Sequence, residues 1–260
     1  MHATYTMLIL TAVFSAPIVL YILRARAGKG EIYIRPIAGL SAIDEAVGRA
    51  TEMGRPVLYS TGLSWLNIEG LCAVAILSHV ARLAAKYDLR IIVPVNSYLL
   101  YPIAEEAVRE AYADAGKLDL FKAEDVIFIP GQFPYAAGVV GIMHRERVAA
   151  TFFFGYFAAE SLILAEAGSQ VGAIQVAGTP DILQIPFFIT ACDYTIIGEE
   201  FYAATAYLTH EPTMIGSLRG QDIGKMILAA LTVLLLVFGL LMAFAPSVFF
   251  SNWLLDLLLR

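Results

Sequence analysis

The stretch that decides the layout of this chain is Met226 to Ala245, which reads MILAALTVLLLVFGLLMAFA. A helix of about twenty residues, at a rise of about 1.5 Å per residue, spans the roughly 30 Å hydrocarbon layer of a bilayer. The stretch carries no charge, and only Thr232 and Gly239 interrupt its apolar surface, whereas a core helix of a water-soluble domain keeps a polar face. We therefore predict a transmembrane helix here.

A second charge-free run, Ala3 to Leu23, is also long enough to span a bilayer. A cleaved signal peptide is the alternative interpretation, and it requires basic residues before the apolar run. In this chain Arg24, Arg26 and Lys29 follow the run instead. The pattern favours a retained N-terminal transmembrane helix.

Basic residues mark the cytoplasmic end of a membrane span. Arg24 and Arg26 follow the first predicted span, Arg219 and Lys225 precede the second, and only Arg260 lies beyond it. We therefore predict a multi-pass protein of the cell (inner) membrane, with its main domain cytoplasmic and both termini outside. The predicted segments are an N-terminal transmembrane helix (1–27), a cytoplasmic α/β domain (28–222), a transmembrane helix (223–246) and an interfacial C-terminal tail (247–260) that contains Trp253.

Composition agrees with a membrane protein and excludes one class of partner. Of the 260 residues, 59% are hydrophobic and only 15% are charged, whereas about a quarter are charged in ordinary soluble domains. The net charge is −6 and the sequence contains no basic stripe with interleaved aromatic residues, so nucleic-acid binding is not expected. The predicted partners are membrane lipid and either further copies of the chain or other membrane proteins.

Residues that could ligate a metal are scattered along the chain. The two cysteines, Cys72 and Cys192, are far apart and form no CxxC motif. The histidines show no HxxxH or HExxH spacing; they are His2, His79, His144 and His210. We predict no metal site and no disulfide, and the sequence does not indicate a particular cofactor.

Between the two spans, apolar strand patterns alternate with helical patterns. Strands are predicted at 57–60, 90–95, 125–129, 171–176 and 194–197, and helices at about 41–53, 66–87, 103–115 and 133–167, with a further helix starting at Thr179-Pro180-Asp181. Continuous apolar strands separated by helices are typical of a parallel sheet covered on both faces. The predicted fold is a Rossmann-like three-layer α/β domain with a mostly parallel sheet, plus the two transmembrane helices.

The second half of this domain lacks basic residues. No Lys or Arg occurs between Arg147 and Arg219, and the run Ala149 to Ala165 is apolar nearly all round. Interpreted as a helix, this run must be enclosed, and three environments are possible: the domain core, a subunit interface or a third membrane segment. Glu160 in the middle of the run argues against lipid, because a central carboxylate costs a few kcal/mol there.

Small polar residues follow the predicted strands, at the edge where open parallel sheets bind ligands. The candidate ligand-binding residues are Ser60, Thr61, Gly62, Asn96, Ser97, Gly131, Gln132, Gly178 and Thr179. They could hold a nucleotide or a small metabolite through backbone N–H groups, or they could simply form turns and helix caps. No GxGxxG or GxxxxGK[ST] motif occurs, and no GxSxG motif indicates a hydrolase. No catalytic residue is predicted.

Two stretches carry a resemblance to a known family. Arg35 to Pro56, RPIAGLSAIDEAVGRATEMGRP, and the segment from Gly178-Thr-Pro-Asp181 to Gly198-Glu-Glu200 are similar to an uncharacterised family of prokaryotic membrane proteins, a domain of unknown function. The resemblance covers the cytoplasmic domain and the helix after it. It implies a Rossmann-like cytoplasmic domain with flanking transmembrane helices, and it implies no activity.

The sequence leaves two functions open. The first is a membrane-anchored, self-associating scaffold or structural subunit of a membrane complex without catalytic activity, which would explain the cation-free second half. The second is a membrane-tethered enzyme or sensor that binds a nucleotide or small metabolite at the strand ends. The first is favoured because it uses a feature that the sequence contains.

Overall fold

The computed structural model describes residues 2–27 and 37–244. The predicted interfacial tail, 247–260, and the segment 28–36 lie outside the described residues. The described chain forms two compact units: the first helix together with the last helix, and the α/β unit that runs to His210. The predicted boundary at residues 222/223 lies inside the last helix, which begins at Pro212.

Helices and strands alternate along the α/β unit. The helices of the chain are α1 (His2–Arg26), α2 (Ala38–Met53), α3 (Ile68–Lys86), α4 (Leu100–Asp114), α5 (Gln132–Glu146), α6 (Glu160–Gln170), α7 (Ile185–Ala191), α8 (Glu200–Thr209) and α9 (Pro212–Phe244). The strands are β1 (Val57–Gly62), β2 (Ile91–Val95), β3 (Val126–Phe128), β4 (Ala150–Tyr156), β5 (Ile174–Thr179) and β6 (Tyr194–Ile197).

The six strands form one sheet in the order β3-β2-β1-β4-β5-β6, and every neighbouring pair is parallel. This order is that of a doubly wound Rossmann sheet, in which the chain starts at the centre and builds each half outward. The predicted α/β fold with a parallel sheet is therefore confirmed. All carboxyl ends of the strands lie at one edge of the sheet, which we call the carboxyl edge.

The prediction of a helix over residues 149–165 is wrong. Residues Ala150–Tyr156 form the central strand β4, and α6 begins only at Glu160. A strand covered on both faces is apolar at every position, so its sequence cannot be told from a buried helix by periodicity. Of the three environments considered, the domain core is the one observed, since Phe152, Phe153 and Phe154 are fully buried.

The next strand and helix also differ in position from the prediction. β5 runs from Ile174 to Thr179 rather than over 171–176, and α7 begins at Ile185 rather than at Thr179. Thr179 ends the strand, and its hydroxyl accepts a hydrogen bond from the Asp181 N–H at 3.2 Å. Asp181 in turn accepts one from the Leu183 N–H at 2.9 Å, so these residues form a turn rather than a helix cap.

Aromatic rings from β4 fill the core beneath the sheet. Phe153 stacks on Phe188 of α7 with 5.9 Å between ring centroids, and Phe157 meets Phe188 edge-on at 5.1 Å. Leu164 of α6 and Tyr135 of α5 belong to the same buried cluster. This cluster fixes α5, α6 and α7 against one face of the sheet.

Arginine side chains form hydrogen bonds at the opposite edge of the sheet, where the strands begin, which we call the amino edge. Arg90, just before β2, shares its Nε–H between the two oxygens of the Asp125 carboxylate, both at 3.0 Å, and donates from NH1 to Glu146 at 2.8 Å. Arg55, just before β1, donates to the carbonyls of Val148 and Val171. The amino edge is therefore charged and cross-linked by guanidinium groups.

The first and last helices pack against each other as an antiparallel pair. Gly216, Gly220 and Gly224 line the contact face of α9, and a methyl group added at Gly216 would lie 2.7 Å from the backbone of Ile22. The same addition at Gly220 would collide with the backbone of Ile18. Glycines four residues apart allow two helix backbones to approach this closely.

Two described helices are long and apolar enough to cross a membrane. They are α3 and the Pro212–Leu241 part of α9. In the most apolar stretch of α3, 56% of the residues are buried inside the protein, whereas in that of α9 only 6% are buried. α3, which the sequence predicts as a helix over about 66–87, is accordingly a core helix of the α/β unit, and α9 is the exposed apolar helix predicted from residues 226–245.

Candidate functional site

The order of the sheet places a possible ligand site between β1 and β4. The chain leaves these two neighbouring strands toward opposite faces of the sheet, and in doubly wound folds the crevice between the two departing loops binds the ligand. The loop from Leu63 to Asn67 follows β1, and the loop from Phe157 to Ala159 follows β4. Any nucleotide or metabolite site of the usual kind would lie between them.

The chain's own hydrogen bonds cross this crevice. The Leu63 N–H donates to the Tyr156 carbonyl at 2.8 Å, and the Tyr156 N–H donates to the Ser64 hydroxyl, also at 2.8 Å. Both bonds cross from the β1 loop to the end of β4, and Ser64 is buried. The N–H groups of Leu63 and Tyr156 are therefore used within the protein and are not free to bind a ligand.

Two glycines make these hydrogen bonds possible. Gly62 has φ +59° and Gly155 has φ +132°, which are conformations that other residues rarely adopt. A side-chain carbon at Gly62 would collide with the Tyr156 carbonyl, and one at Gly155 would collide with the Ser64 hydroxyl. In a dinucleotide site such glycines leave room for the pyrophosphate, whereas here they leave room for the protein's own loop.

The predicted residues at the ends of β1 and β2 are buried or form hydrogen bonds within the protein. The Ser60 hydroxyl lies 2.7 Å from the Tyr135 hydroxyl, which donates to the Pro94 carbonyl at 3.1 Å. Thr61 is buried, and its hydroxyl oxygen has no hydrogen-bond partner among the described residues.

Asn96 donates to the carbonyls of Ile129 and Gly131, at 3.0 and 3.2 Å. Ser97 lies at the start of α4, where its hydroxyl accepts the Leu100 N–H at 3.4 Å.

The predicted residues beyond β3 and β5 behave in the same way. Gly131 precedes α5 with φ +87°, and Gln132 donates to the Glu160 carboxylate at 2.8 Å. The other oxygen of Glu160 accepts the Ala158 N–H at 2.8 Å, so this buried carboxylate joins two loops at the carboxyl edge. Gly178 is packed against the ring of Phe154, and Thr179 forms the turn described above.

Exposed apolar side chains, rather than polar groups, dominate the surface at the carboxyl edge. Those that lie at or just beyond the ends of the six strands are Trp65, Leu66, Ile68, Tyr98, Leu99, Phe128, Phe133, Tyr156, Ile182, Leu183 and Ile197. We call this surface the apolar edge. Ile182, Leu183 and Ile68 are exposed by 78%, 76% and 73%. Its members come from six separate loops and strand ends, so no single stretch of the sequence indicates the apolar edge.

One carboxylate is half-buried within the apolar edge. Glu69 lies in the first turn of α3, next to Ile68, and its Oε1 atom is buried without a hydrogen-bond partner among the described residues. Burial, together with the nearby negative charge of Asp181, raises the pKa of Glu69 to about 7. Glu69 therefore exchanges its proton near neutral pH.

Removing the charge of Glu69 is expected to stabilise the protein in a pH-dependent way. Because the pKa of Glu69 is higher in the folded than in the unfolded chain, the ionised side chain destabilises the fold as pH rises from about 4.5 to 7. Glu69→Gln should raise Tm by about 1–3 °C at pH 8 and by nothing measurable at pH 4, with the gain discounted for partial exposure. Thermal unfolding of the full chain in detergent measures this difference. Glu110→Gln, on the exposed face of α4, is the matched control, and an equal gain at both pH values would contradict the assignment.

A cavity of about 360 Å³ lies away from the carboxyl edge, between the C-terminal ends of α3 and α4. Arg82, Lys86, Lys117 and Asp114 line it. Lys117 donates to the Lys86 carbonyl at 3.0 Å, so its ammonium group compensates the negative end of α3. Among the described residues, no group of three or more His, Cys, Asp or Glu side chains could hold a metal ion.

The fold and this edge define the class of the protein: a doubly wound parallel α/β domain with exposed apolar side chains at its carboxyl edge, in one chain with a long exposed apolar helix. The chain belongs to the family described as a domain of unknown function (DUF6754), whose model matches residues 2–253. The predicted membership of an uncharacterised family is thereby confirmed, and the prokaryotic and membrane character of that family stays a prediction. No curated protein and no solved structure matches this chain.

Proposed function

We propose that this protein is a membrane-anchored scaffold, a structural subunit that associates with further protein chains and carries out no catalysis. The observation that carries the proposal is the carboxyl edge: the place where similar folds bind their ligand is crossed by the chain's own hydrogen bonds and surrounded by exposed apolar side chains. Exposed apolar surface of this extent marks an interaction site.

Membrane anchoring by α9, with α1 as a second span, is part of the proposal. The exposed side chains of α9 include Met226, Leu234 and Leu236, each at least 60% exposed, which suits contact with lipid rather than with protein. The antiparallel packing of α1 on α9 supports a hairpin that returns the chain to the side from which it came. Arg24 and Arg26 then lie at the same end as Arg219, which supports a cytoplasmic location for residues 37–210 and an outside location for both termini.

The alternative function is an enzyme or sensor that binds a nucleotide or small metabolite at the strand ends. The strand order favours it, because the same order occurs in dinucleotide-binding domains. The hydrogen-bonded loops around Gly62 and Gly155 weigh against it, as do the buried hydrogen bonds of Ser60 and Asn96. A ligand would have to break contacts that the fold already satisfies.

Ligand binding and association can be measured on the full-length protein in mild detergent. A ligand at about 100 times its Kd stabilises a protein by about 2.7 kcal/mol, which corresponds to roughly 5–10 °C in Tm. We expect no shift above about 1 °C with ATP or NADH, and native mass spectrometry should detect species with more than one protein chain. A shift of several degrees in a strictly monomeric protein would contradict the scaffold and favour the alternative.

A further inference from the structure

We infer that the apolar edge is the contact surface between two copies of this chain, which pair through the same surface about a two-fold axis. The inference rests on the proposed scaffold function and adds the surface, the partner and the symmetry. Pairs in which both subunits use one patch are the commonest form of protein self-association. Such a patch must be complementary to itself, which an apolar, weakly charged surface satisfies.

The area of the apolar edge suits a stable dimer. Its five aromatic residues are exposed by between 37% at Tyr156 and 68% at Tyr98, and its aliphatic residues by 42% or more. With about 150–250 Å² for a whole aromatic side chain, the exposed apolar surface amounts to roughly 600–1,000 Å². The largest apolar patch of a typical monomer is about 300–600 Å², and one partner in a standard interface contributes about 800 Å².

The composition of the apolar edge favours protein over lipid as the occupant. Surfaces that bind the membrane interface combine apolar residues with Lys and Arg, which attract anionic phospholipids. No Lys or Arg occurs between Arg55 and Arg82, between Arg90 and Arg109, or between Arg147 and Arg219, the segments that supply most of the edge. Few charges together with Trp, Tyr and Phe are instead the composition of interface cores.

The carboxylates of the edge are compatible with pairing. Glu69 is half-buried, and Asp181 is also half-buried, with one oxygen accepting the Leu183 N–H. Two facing edges would desolvate Glu69 further and favour its protonated form, which removes the like-charge repulsion between the subunits. Burial and Asp181 already raise the pKa of Glu69 to about 7, so this protonation requires little change near neutral pH.

Trp65 provides a direct probe of what covers the apolar edge. The chain contains two tryptophans, so Trp253→Phe leaves Trp65, which is 65% exposed, as the single fluorophore. The full-length variant is placed in phosphatidylcholine vesicles at a series of protein-to-lipid ratios. Crosslinking gives the dimer fraction, acrylamide reports exposure of Trp65 to water, and brominated phosphatidylcholine reports its contact with lipid.

We expect Trp65 to be shielded from acrylamide and from brominated lipid in the dimer, and to become accessible to acrylamide as dilution gives monomer. Ile182→Glu, at the most exposed position of the edge, should raise the dimer dissociation constant about tenfold or more. Ile189→Glu is the matched control, because Ile189 is 53% exposed on α7 outside the apolar edge and should leave the constant unchanged.

Three outcomes would overturn the inference, and they separate it from the scaffold proposal. A dimer that survives Ile182→Glu while Trp65 stays accessible to acrylamide contradicts the assigned surface and leaves the scaffold intact. Quenching of Trp65 by brominated lipid makes the bilayer the occupant and also overturns the pairing. A monomer at every ratio, with Trp65 accessible to acrylamide, contradicts both proposals.

Discussion

Replacing Phe153 with alanine is expected to lower the free energy of unfolding by about 3–5 kcal/mol. Phe153 is fully buried in the central strand β4, stacks on Phe188 and meets Phe157 edge-on with 6.1 Å between ring centroids. Its removal leaves a cavity beneath three helices and breaks both ring contacts. A loss of this size is a large part of the 5–15 kcal/mol by which domains are stable.

The chain contains a suitable probe for this measurement. Cys72 is buried in α3 and free, and in a Cys192→Ala background it is the single thiol. Its rate of modification in detergent reports how often the α/β unit opens, and 1.4 kcal/mol corresponds to a factor of ten, so Phe153→Ala should accelerate the reaction by about a hundredfold or more. Phe187→Ala, at a residue 40% exposed on α7, should have less than half the effect on the free energy. Equal acceleration by both variants would show that Phe153 is not part of a cooperative core.

The second large effect is expected at the helix pair. Gly220→Leu should separate α1 from α9, because any side chain at this position collides with the backbone of Ile18, whose N atom lies 2.9 Å from an added carbon. The helices are equally close at Gly216, where an added carbon would also meet backbone atoms of α1. The neighbouring part of the contact therefore leaves no space that would relieve the collision. Overpacking of this kind costs about 1–3 kcal/mol, occasionally more.

Crosslinking between the two helices measures this separation. Arg26 Nε donates to the Thr213 hydroxyl at 3.2 Å, so Arg26→Cys and Thr213→Cys, in a chain whose own cysteines are replaced by alanine, should be joined by a short bis-thiol-reactive crosslinker that spans the length of the lost arginine side chain. Gly220→Leu should lower the rate of crosslinking about tenfold. Gly239→Leu on the same helix is the control, because nothing lies within 4 Å of a carbon added there. An unchanged rate in Gly220→Leu would contradict the packing of α1 on the glycine face.

Most of the fold could be predicted because its strands and helices carry strong local signals. β6 coincides with the prediction at Tyr194–Ile197, and β1, β2 and β3 differ from it by a residue or two at their ends. Their apolar runs are short, bounded by turn residues and separated by helical patterns, which is enough to predict a parallel sheet. The sequence order of elements then limits the topology to a few arrangements.

Residues 149–165 were misread for a physical reason. A central strand and a core helix both lose their polar face when protein covers them on every side, so periodicity no longer separates them. Gly155 was the available signal, since a glycine after three consecutive phenylalanines suits the end of a strand better than the middle of a helix. Its φ of +132° agrees with that interpretation.

The residues of the candidate site lie where the strand pattern places them, and their role in binding a ligand stays a prediction. Ser60, Asn96 and Gly131 do lie at the carboxyl edge, as the strand pattern requires. Their polar groups bond to atoms such as the Tyr135 hydroxyl, and a sequence does not reveal which caps are already satisfied. The apolar edge was equally hidden, because a single exposed Trp or Ile in a loop is ordinary until the sheet order brings eleven of them together.

The glycine face of α9 was visible in the sequence and was not recognised. Gly216, Gly220 and Gly224 recur at intervals of four, a spacing that indicates close helix packing. Sequence spacing alone does not name the partner helix, so α1 could be assigned only from the structure.

The register of the helix pair has a mechanical consequence for any bilayer that receives both helices. Since Gly220 faces Ile18, the middle of the run 3–23 on α1 lies beside residue 225 of α9, about ten residues before the middle of the run 226–244. At a rise of about 1.5 Å per residue, the two apolar segments are offset along the helix axis by roughly 15 Å. A bilayer of uniform thickness cannot cover both apolar segments. The surrounding lipid must therefore become thinner or the helix pair must tilt, and the protein should prefer membranes that deform easily.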